Sequence, residues 1–222
     1  GAVEATLVAV DGEPVQPLKG RRFGLAMAQR IDLLLDLPGE GAFPILALRE
    51  GAQERAGIIL ATSGAAVPKL PVLGEETAPA LDLALEAQLQ ALNPLKVRPA
   101  DRAPMVMLSG GMMPYQWGVS GPVTAQSGER VEIMFHNMTM MGHPMHLHGH
   151  AFQVVNLNGR ALAGAVRDTV YVPPMAMVTI ALDAGEAATL NDTLKGPEAD
   201  GGVFEAAEAS LALLMASAAG WE

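Results

Sequence analysis

The 222-residue chain contains no cysteine. It therefore forms no disulfide bond, and it offers no thiolate as a nucleophile or as a metal ligand. Aromatic residues make up only 4% of the chain although 50% of it is hydrophobic, so we expect a mainly aliphatic core. The length allows one large domain or two small ones.

Basic residues are also scarce, with 14 Lys and Arg against 24 Asp and Glu and a formal net charge of −10. The chain has no run of Lys and Arg, and phosphate binding needs clusters of these side chains. We therefore expect neither nucleic acid nor an anionic membrane surface as a partner. No apolar run is long enough to span a membrane. The chain starts at Gly1 without a signal peptide, so we expect it to be processed or cut from something longer.

Four of the five histidines lie within eight residues, in the segment His143-Pro-Met-His146-Leu-His148-Gly-His150. Imidazole is the commonest metal ligand in proteins, because one ring nitrogen offers a lone pair at neutral pH. Side chains alternate between the faces of a strand, so His146, His148 and His150 would point one way. Pro144 fixes the chain after His143 and turns that ring towards a different point. The spacing therefore predicts two neighbouring metal positions rather than one compact chelate.

Short aliphatic stretches bounded by Gly, Pro and Asp recur along the chain and predict an all-β sandwich or barrel. In residues 131–137, Val, Ile and Phe alternate with Glu, Met and His, so the apolar set faces one side of a strand. We interpret His136, on the other side, as a surface or loop-contact histidine. Asn158-Gly159 predicts a hairpin turn. Residues 77–93 differ, because leucines at helical spacing predict a connecting helix there.

The histidine segment closely resembles the H-P-x-H-L-H-G-H signature in the last cupredoxin domain of multicopper oxidases, the laccase-like and copper-resistance oxidases. This resemblance implies copper as the cofactor. It also implies that His143 is a ligand of the mononuclear type 1 copper, His146 of the type 2 copper and His148 of one copper of the type 3 pair. His150 belongs to the signature without being a ligand. The alternative is a His-rich turn that binds metal weakly.

Three more stretches resemble the same family and follow its order. Residues 167–174, Arg-Asp-Thr-Val-Tyr-Val-Pro-Pro, are a family hallmark, and Asp168 is expected to support the metal ligands together with His150. Residues 115–121 resemble the opening of the family's last domain, and residues 7–15 resemble the second half of domain 2. The fold that this resemblance implies is a cupredoxin-like Greek-key β-sandwich, preceded by an incomplete second cupredoxin domain and a linker helix. The expected parts are 1–70 for the incomplete domain, 71–100 for the linker and 101–222 for the C-terminal domain with an atypical helical tail.

The family's second cluster, H-C-H-x-x-x-H with an axial Met, has no counterpart, since residues 190–222 contain neither His nor Cys. That stretch is polar and then Ala-rich with helical spacing. A blue copper site needs two His and a Cys, so this chain cannot build one by itself. We expect His146 and His148, with or without His143, to hold copper(II) or zinc if water or a partner chain fills the other positions.

Methionines surround the histidine segment. Soft thioethers suit copper(I), which makes Met140, Met141 and Met145 candidate soft ligands. Thirteen Met in an aromatic-poor chain are also typical of flexible core filling. We favour core filling for any single one of them.

Three hypotheses fit these residues. The first is part of an oxidase that couples one-electron oxidation of a small reducing substrate, such as Cu(I) or a phenol, to the reduction of dioxygen to water. Its partners would be the missing cupredoxin domains or another chain. The second is a non-catalytic copper-binding cupredoxin protein, and the third is a degenerate structural domain whose histidines bind no metal. The family resemblance implies a periplasmic or extracellular location.

Overall fold

The computed structural model of the chain describes residues 3–112, 115–121 and 123–185. These residues form fourteen strands and one short 3-10 helix. The predicted helical tail, residues 190–222, lies outside the described residues. No helix within the described ranges has the length and apolar character needed to cross a membrane.

The N-terminal part of the chain forms two small sheets. β1 is the centre of a three-stranded antiparallel sheet of order β2-β1-β3, and β4 pairs with β5 in a separate antiparallel hairpin. The buried side chains of the first sheet meet those of the linker in a small aliphatic core that includes Leu7, Val10 and Leu89. The strands are β1 Ala5–Val10, β2 Glu13–Gly20, β3 Ile31–Leu35, β4 Ala42–Leu48 and β5 Arg55–Ala61.

The C-terminal part is a β-sandwich. Its larger layer is a seven-stranded sheet of order β11-β10-β14-β8-β6-β7, with β12 pairing beside β10. β6 and β8 run parallel, whereas the other neighbours in the layer run antiparallel. The strands are β6 Met105–Met112, β7 Tyr115–Ser120, β8 Arg130–Asn137, β9 His143–His146, β10 Phe152–Leu157, β11 Arg160–Ala161, β12 Val166–Arg167, β13 Thr169–Val172 and β14 Met177–Asp183.

The second layer is the antiparallel pair of β9 and β13. Met145 and Val172 from this pair pack in the main core with Val106, Ile133 and Ile180 from the larger sheet. The core is mostly aliphatic, as expected from the low aromatic content. This two-layer arrangement confirms the predicted all-β, cupredoxin-like sandwich.

Two local predictions in the sandwich are confirmed. In β8 the apolar residues Val131, Ile133 and Phe135 are buried, and the residues between them are half-buried. Asn158 and Gly159 have φ angles of +49° and +85°. Positive φ at both central residues is the requirement of a type I′ hairpin turn, which Asn-Gly satisfies with little strain.

The predicted linker helix is wrong. Within residues 77–93 the chain forms only a 3-10 helix at Glu86–Gln88. The backbone after this short helix pairs with β2 instead. The N–H of Leu92 donates to the carbonyl oxygen of Pro14, and the N–H of Gln16 donates to the carbonyl oxygen of Gln90. Leu89 is 2% exposed in the N-terminal core. Leu92, by contrast, is 47% exposed, so the leucines do not share one buried face. The long-range pairing with β2 therefore outweighs a weak helical preference.

Candidate metal centre

β9 carries the first two histidines of the cluster on opposite faces. Its burial alternates, with His143 and Met145 buried and Pro144 and His146 half-buried. His143 pairs in register with Val172 of β13, and His146 pairs with Thr169. The two rings therefore point away from each other, as two separate metal positions require.

The His146 ring is held through its Nδ1 atom. Nδ1 lies 2.9 Å from the carbonyl oxygen of Asp168 and 3.0 Å from Oγ1 of Thr169. The Thr169 hydroxyl donates its hydrogen to Oδ1 of Asp168 at 2.8 Å, and a carbonyl oxygen can only accept. Nδ1 must therefore carry the ring proton in the neutral imidazole. Nε2 keeps the lone pair, and the side chain is 33% exposed, so Nε2 is the nitrogen available to bind a metal ion.

A turn brings His148 towards His146. β9 ends at His146, and the chain turns at His148 and Gly149, where the φ angle of Gly149 is +70°. The predicted alternation through His150 is therefore wrong. The ring centroids of His146 and His148 nevertheless lie 4.9 Å apart with an interplanar angle of 56°. The turn thus brings together the two side chains that alternation was expected to place on one face.

His150 turns one ring nitrogen towards the protein. Its Nε2 accepts a hydrogen bond of 3.1 Å from the backbone N–H of Gly185. Its Nδ1 lies 3.4 Å from the carbonyl oxygen of His148. This geometry supports a role in fixing the turn rather than in binding metal.

His143 is almost completely buried, at 1% exposure. Its Nε2 lies 2.9 Å from Oγ1 of Thr139. Burial lowers the pKa of the His143 imidazole to about 4, because the charged form loses its hydration. The ring is therefore neutral at neutral pH, as a metal ligand must be.

The loop in front of His143 is fixed by Asn137, which is fully buried. Its side-chain amide donates to the carbonyl oxygens of Met141, Val172 and Pro173 at 2.7, 3.1 and 2.8 Å. Its Oδ1 accepts from the backbone N–H of Thr139 at 2.9 Å. The sequence reasoning did not single out Asn137 or Thr139.

The three candidate thioether ligands lie in different environments. Met140 is 81% exposed, and Met141 is half-buried. Met145 is 5% exposed and packs in the main aliphatic core. The packing of Met145 supports core filling, the interpretation favoured from the sequence, because a flexible thioether fits irregular space.

The donor set is a partial one. In the part of the chain that the structure describes, no three side chains of His, Cys, Asp or Glu are grouped so that they could hold a metal ion. The His146 and His148 imidazoles are the kind of donor that copper(II) and zinc prefer. Two such rings with centroids 4.9 Å apart suit copper chemically, but they are an incomplete donor set within the described residues.

An open cleft of about 230 Å³ lies beside the His146 ring. His150 and the carboxylate residues Asp11, Glu13 and Asp168 also line it. Burial alone would raise the pKa of the Asp168 carboxyl, but hydrogen bonds from Arg30 and Thr169 outweigh burial and lower that pKa. The Asp168 carboxyl is therefore ionised at neutral pH, and its charge is paired with the Arg30 guanidinium.

Asp11 was not predicted as a functional residue. Its side chain is 0% exposed, although it lies in an Asp-Gly turn, where a surface position is the ordinary expectation. The carboxylate accepts from the N–H of Arg30 at 2.7 Å, the Nε of Arg167 at 3.0 Å and the N–H of Thr169 at 3.2 Å. Asp11 therefore links the N-terminal sheet to β13, the strand that pairs with the His146 strand β9.

The sandwich and its histidine-bearing strand place the chain among the cupredoxin-like copper proteins. Residues 95–189 match the family model described as multicopper oxidase. Multicopper oxidase MmcO of Mycobacterium tuberculosis (strain ATCC 25618 / H37Rv) is 34% identical over 182 residues, which are 76% of this chain and 34% of MmcO. Copper resistance protein A of Escherichia coli is 36% identical over 74 residues, which are 30% of this chain and 12% of that protein. These matches identify the chain as a relative of the multicopper oxidases.

Solved structures show the same fold. The laccase from Botrytis aclada superposes with a TM-score of 0.62 at 17% identity, over 82% of this chain and 43% of the laccase. Fet3p, a multicopper oxidase that functions in iron import, superposes with a TM-score of 0.60 at 18% identity, over 83% of this chain and 47% of Fet3p. The chain thus spans less than half of these oxidases and about a third of MmcO.

Proposed function

We propose that the chain is part of a copper-dependent oxidase that couples one-electron oxidation of a reducing substrate to the reduction of dioxygen to water. The observation that carries this proposal is the His146 and His148 pair, whose ring centroids lie 4.9 Å apart. His146 also lines an open cleft. Copper, when bound, supplies the one-electron and dioxygen chemistry.

In this proposal the residues of the chain bind copper and orient its imidazole ligands. His146 offers Nε2 to the metal, because Asp168 and Thr169 hold its Nδ1. His148 offers the second imidazole. His143 would contribute a neutral ring to a second copper position on the other face of β9, where a blue site would also need a second imidazole and a thiolate from outside these 222 cysteine-free residues.

The partners of this oxidase are proposed by family resemblance. They are dioxygen, a small reducing substrate or Cu(I), and the missing cupredoxin domain or domains, or another chain. The same resemblance supports a periplasmic or extracellular location. We also propose the division into residues 1–70, 71–100 and 101–222.

Copper titration of the whole chain tests the proposal. We expect stoichiometric copper(II) binding, seen by elemental analysis after gel filtration and by electron paramagnetic resonance. His146→Ala and His148→Ala should each abolish stoichiometric binding, because each removes one of the two paired donors. His136→Ala is the matched control, since His136 lies on β8 in the other sheet layer. A wild-type chain that binds no copper, or a His146→Ala/His148→Ala double variant that binds as well as wild type, would overturn the proposal.

A non-catalytic copper-binding protein is the second candidate. It is favoured by the partial donor set, since the described residues bring two imidazoles together but no third His, Cys, Asp or Glu. Oxygen-electrode measurements on the copper-loaded chain, with Cu(I) or a phenol as reductant and with the missing domains added, separate the two candidates. Stoichiometric copper without oxygen consumption would support the second. If the site stayed empty at excess metal, the chain would be a purely structural domain.

A further inference from the structure

We propose that Asp11 is a positioning residue for the His146 imidazole, although it belongs to the N-terminal sheet and does not bind the metal. It acts through Asp168 and Thr169, whose oxygens hold the ring. The inference rests on the proposed function, in that His146 is taken to be a copper ligand.

The first step is the burial of the Asp11 carboxylate. A buried carboxylate is costly unless it is paired and hydrogen-bonded. Two of its three N–H donors come from Arg167 and Thr169, the neighbours of Asp168 on both sides, and these donors are 156 and 158 residues away in sequence. Asp11 therefore holds the side chain of Arg167 and the backbone N–H of Thr169, the residues on either side of Asp168.

The second step is the support from Arg30, which immediately precedes β3. Its backbone N–H donates to Oδ1 of Asp11, and its guanidinium donates to the carbonyl oxygen of Asp11 at 3.2 Å. The same guanidinium pairs with the Asp168 carboxylate at 2.5 Å. Asp168 is thus held through its neighbours by Asp11 and through its side chain by Arg30.

The third step is the effect on the ring. The carbonyl oxygen of Asp168 and Oγ1 of Thr169 both accept from Nδ1 of His146, so their positions select the Nδ1–H tautomer. If residues 168–169 shift, this selection weakens and the ring can rotate or adopt the Nε2–H form. That form cannot bind copper through Nε2. Outer partners of metal-binding histidines typically change metal affinity by about 10- to 100-fold.

Glu86 provides a matched control within the same network. It is 6% exposed and pairs with Nη1 of the same Arg167. Among the described hydrogen bonds, the Glu86 carboxylate makes none to Asp168 or Thr169. Glu86→Gln therefore removes a buried carboxylate from Arg167 and leaves the support of the His146 ring intact.

The experiment uses the whole chain labelled with ¹⁵N-histidine, with the His146 signals assigned by their loss in His146→Ala. The ring ¹⁵N shifts of the copper-free protein report the tautomer, and a copper(II) titration reports affinity. We expect Nδ1–H in wild type and in Glu86→Gln. In Asp11→Asn we expect a mixture of tautomers and a copper(II) affinity about tenfold weaker.

Wild-type tautomer and affinity in Asp11→Asn would overturn the inference, as would equal changes in Asp11→Asn and Glu86→Gln. If Asp11→Asn does not fold, Arg30→Gln decides on the same two readouts, since its half-exposed side chain is easier to replace. Unchanged values in Arg30→Gln would then overturn it. A tautomer that responds to Asp11→Asn in a chain that binds no copper would confirm the positioning and refute the proposed function.

Discussion

The Nδ1 atom of His146 lies 2.9 Å from the carbonyl oxygen of Asp168, and this contact orients the ring so that Nε2 stays available for a metal ion. Thr169 supplies the second acceptor through its hydroxyl. Thr169→Val keeps the branched shape and removes that acceptor. We expect copper(II) affinity to fall by about tenfold and the free energy of unfolding to fall by about 1 kcal/mol. Isothermal titration and urea denaturation measure the two effects.

The control for this change is Thr179→Val, which replaces a buried threonine of β14 in the other sheet layer. Copper affinity should stay at the wild-type value in this variant. Equal losses of affinity in both variants would show that the Thr169 hydroxyl has no specific role.

Asn137 fixes the loop that leads to His143. Asn137→Ala removes the side-chain amide that donates to three backbone carbonyl oxygens, and the buried N–H of Thr139 loses its acceptor. We expect the free energy of unfolding to fall by about 3 kcal/mol. Amide hydrogen exchange in residues 138–142 should also become faster. The exposed Asn93→Ala is the control and should change stability by less than about 0.5 kcal/mol. A loss below about 1 kcal/mol in Asn137→Ala would contradict this interpretation.

Sequence patterns correctly predicted those parts of the fold that depend only on residues adjacent in the sequence. The alternation in β8 and the Asn158-Gly159 turn need only the residues that carry them, and both are confirmed. Likewise, the proline after His143 and the histidine spacing predicted two ring directions, and the opposite burial of His143 and His146 agrees with this.

The parts that the sequence could not predict depend on distant residues. The linker leucines have helical spacing, but pairing with β2 uses the backbone groups that a helix would need. The support of His146 involves Asp11, whose partner Arg167 is 156 residues away in sequence. A single sequence contains no local signal for such a contact, because an Asp-Gly turn on the surface has the same residues.

Gly142 is required by the close approach of Tyr171. A Cβ atom at this position would overlap the hydroxyl and ring of Tyr171, which pairs with Pro144 across the β9–β13 sheet. Gly142→Ala should therefore lower the free energy of unfolding by about 2 kcal/mol through overpacking. Adding Tyr171→Leu should restore part of the loss. Thermal and urea denaturation of the single and double variants measure both effects.

Gly24→Ala is the matched control, because its Cβ would meet only Leu81 at 3.5 Å, an ordinary contact distance. This variant should be as stable as wild type or slightly more stable. If Gly142→Ala were equally stable, the Tyr171 ring would have to move freely, and the tight packing beside His143 would be refuted.

Asp183 makes the stability of the sandwich depend on pH. The hydrogen bond from Arg130, with a further one from Arg98, holds the pKa of the Asp183 carboxyl at about 2, below the roughly 3.9 of an unfolded Asp. Because the folded pKa is the lower one, this stabilisation is complete above about pH 4 and is lost as the pH falls towards 2. The side chain is 46% exposed, so solvent screening limits the contribution to about 1 kcal/mol.

Asp183→Asn should therefore lower the free energy of unfolding by about 1 kcal/mol at pH 7 and by much less near pH 2. Urea denaturation at several pH values measures the difference between variant and wild type. Asp36→Asn, at an exposed position that makes no ion pair in the described part of the chain, should show no such trend. If Asp183→Asn lowered the free energy of unfolding equally at pH 7 and pH 2, packing of this side chain, rather than its charge, would stabilise the end of β14.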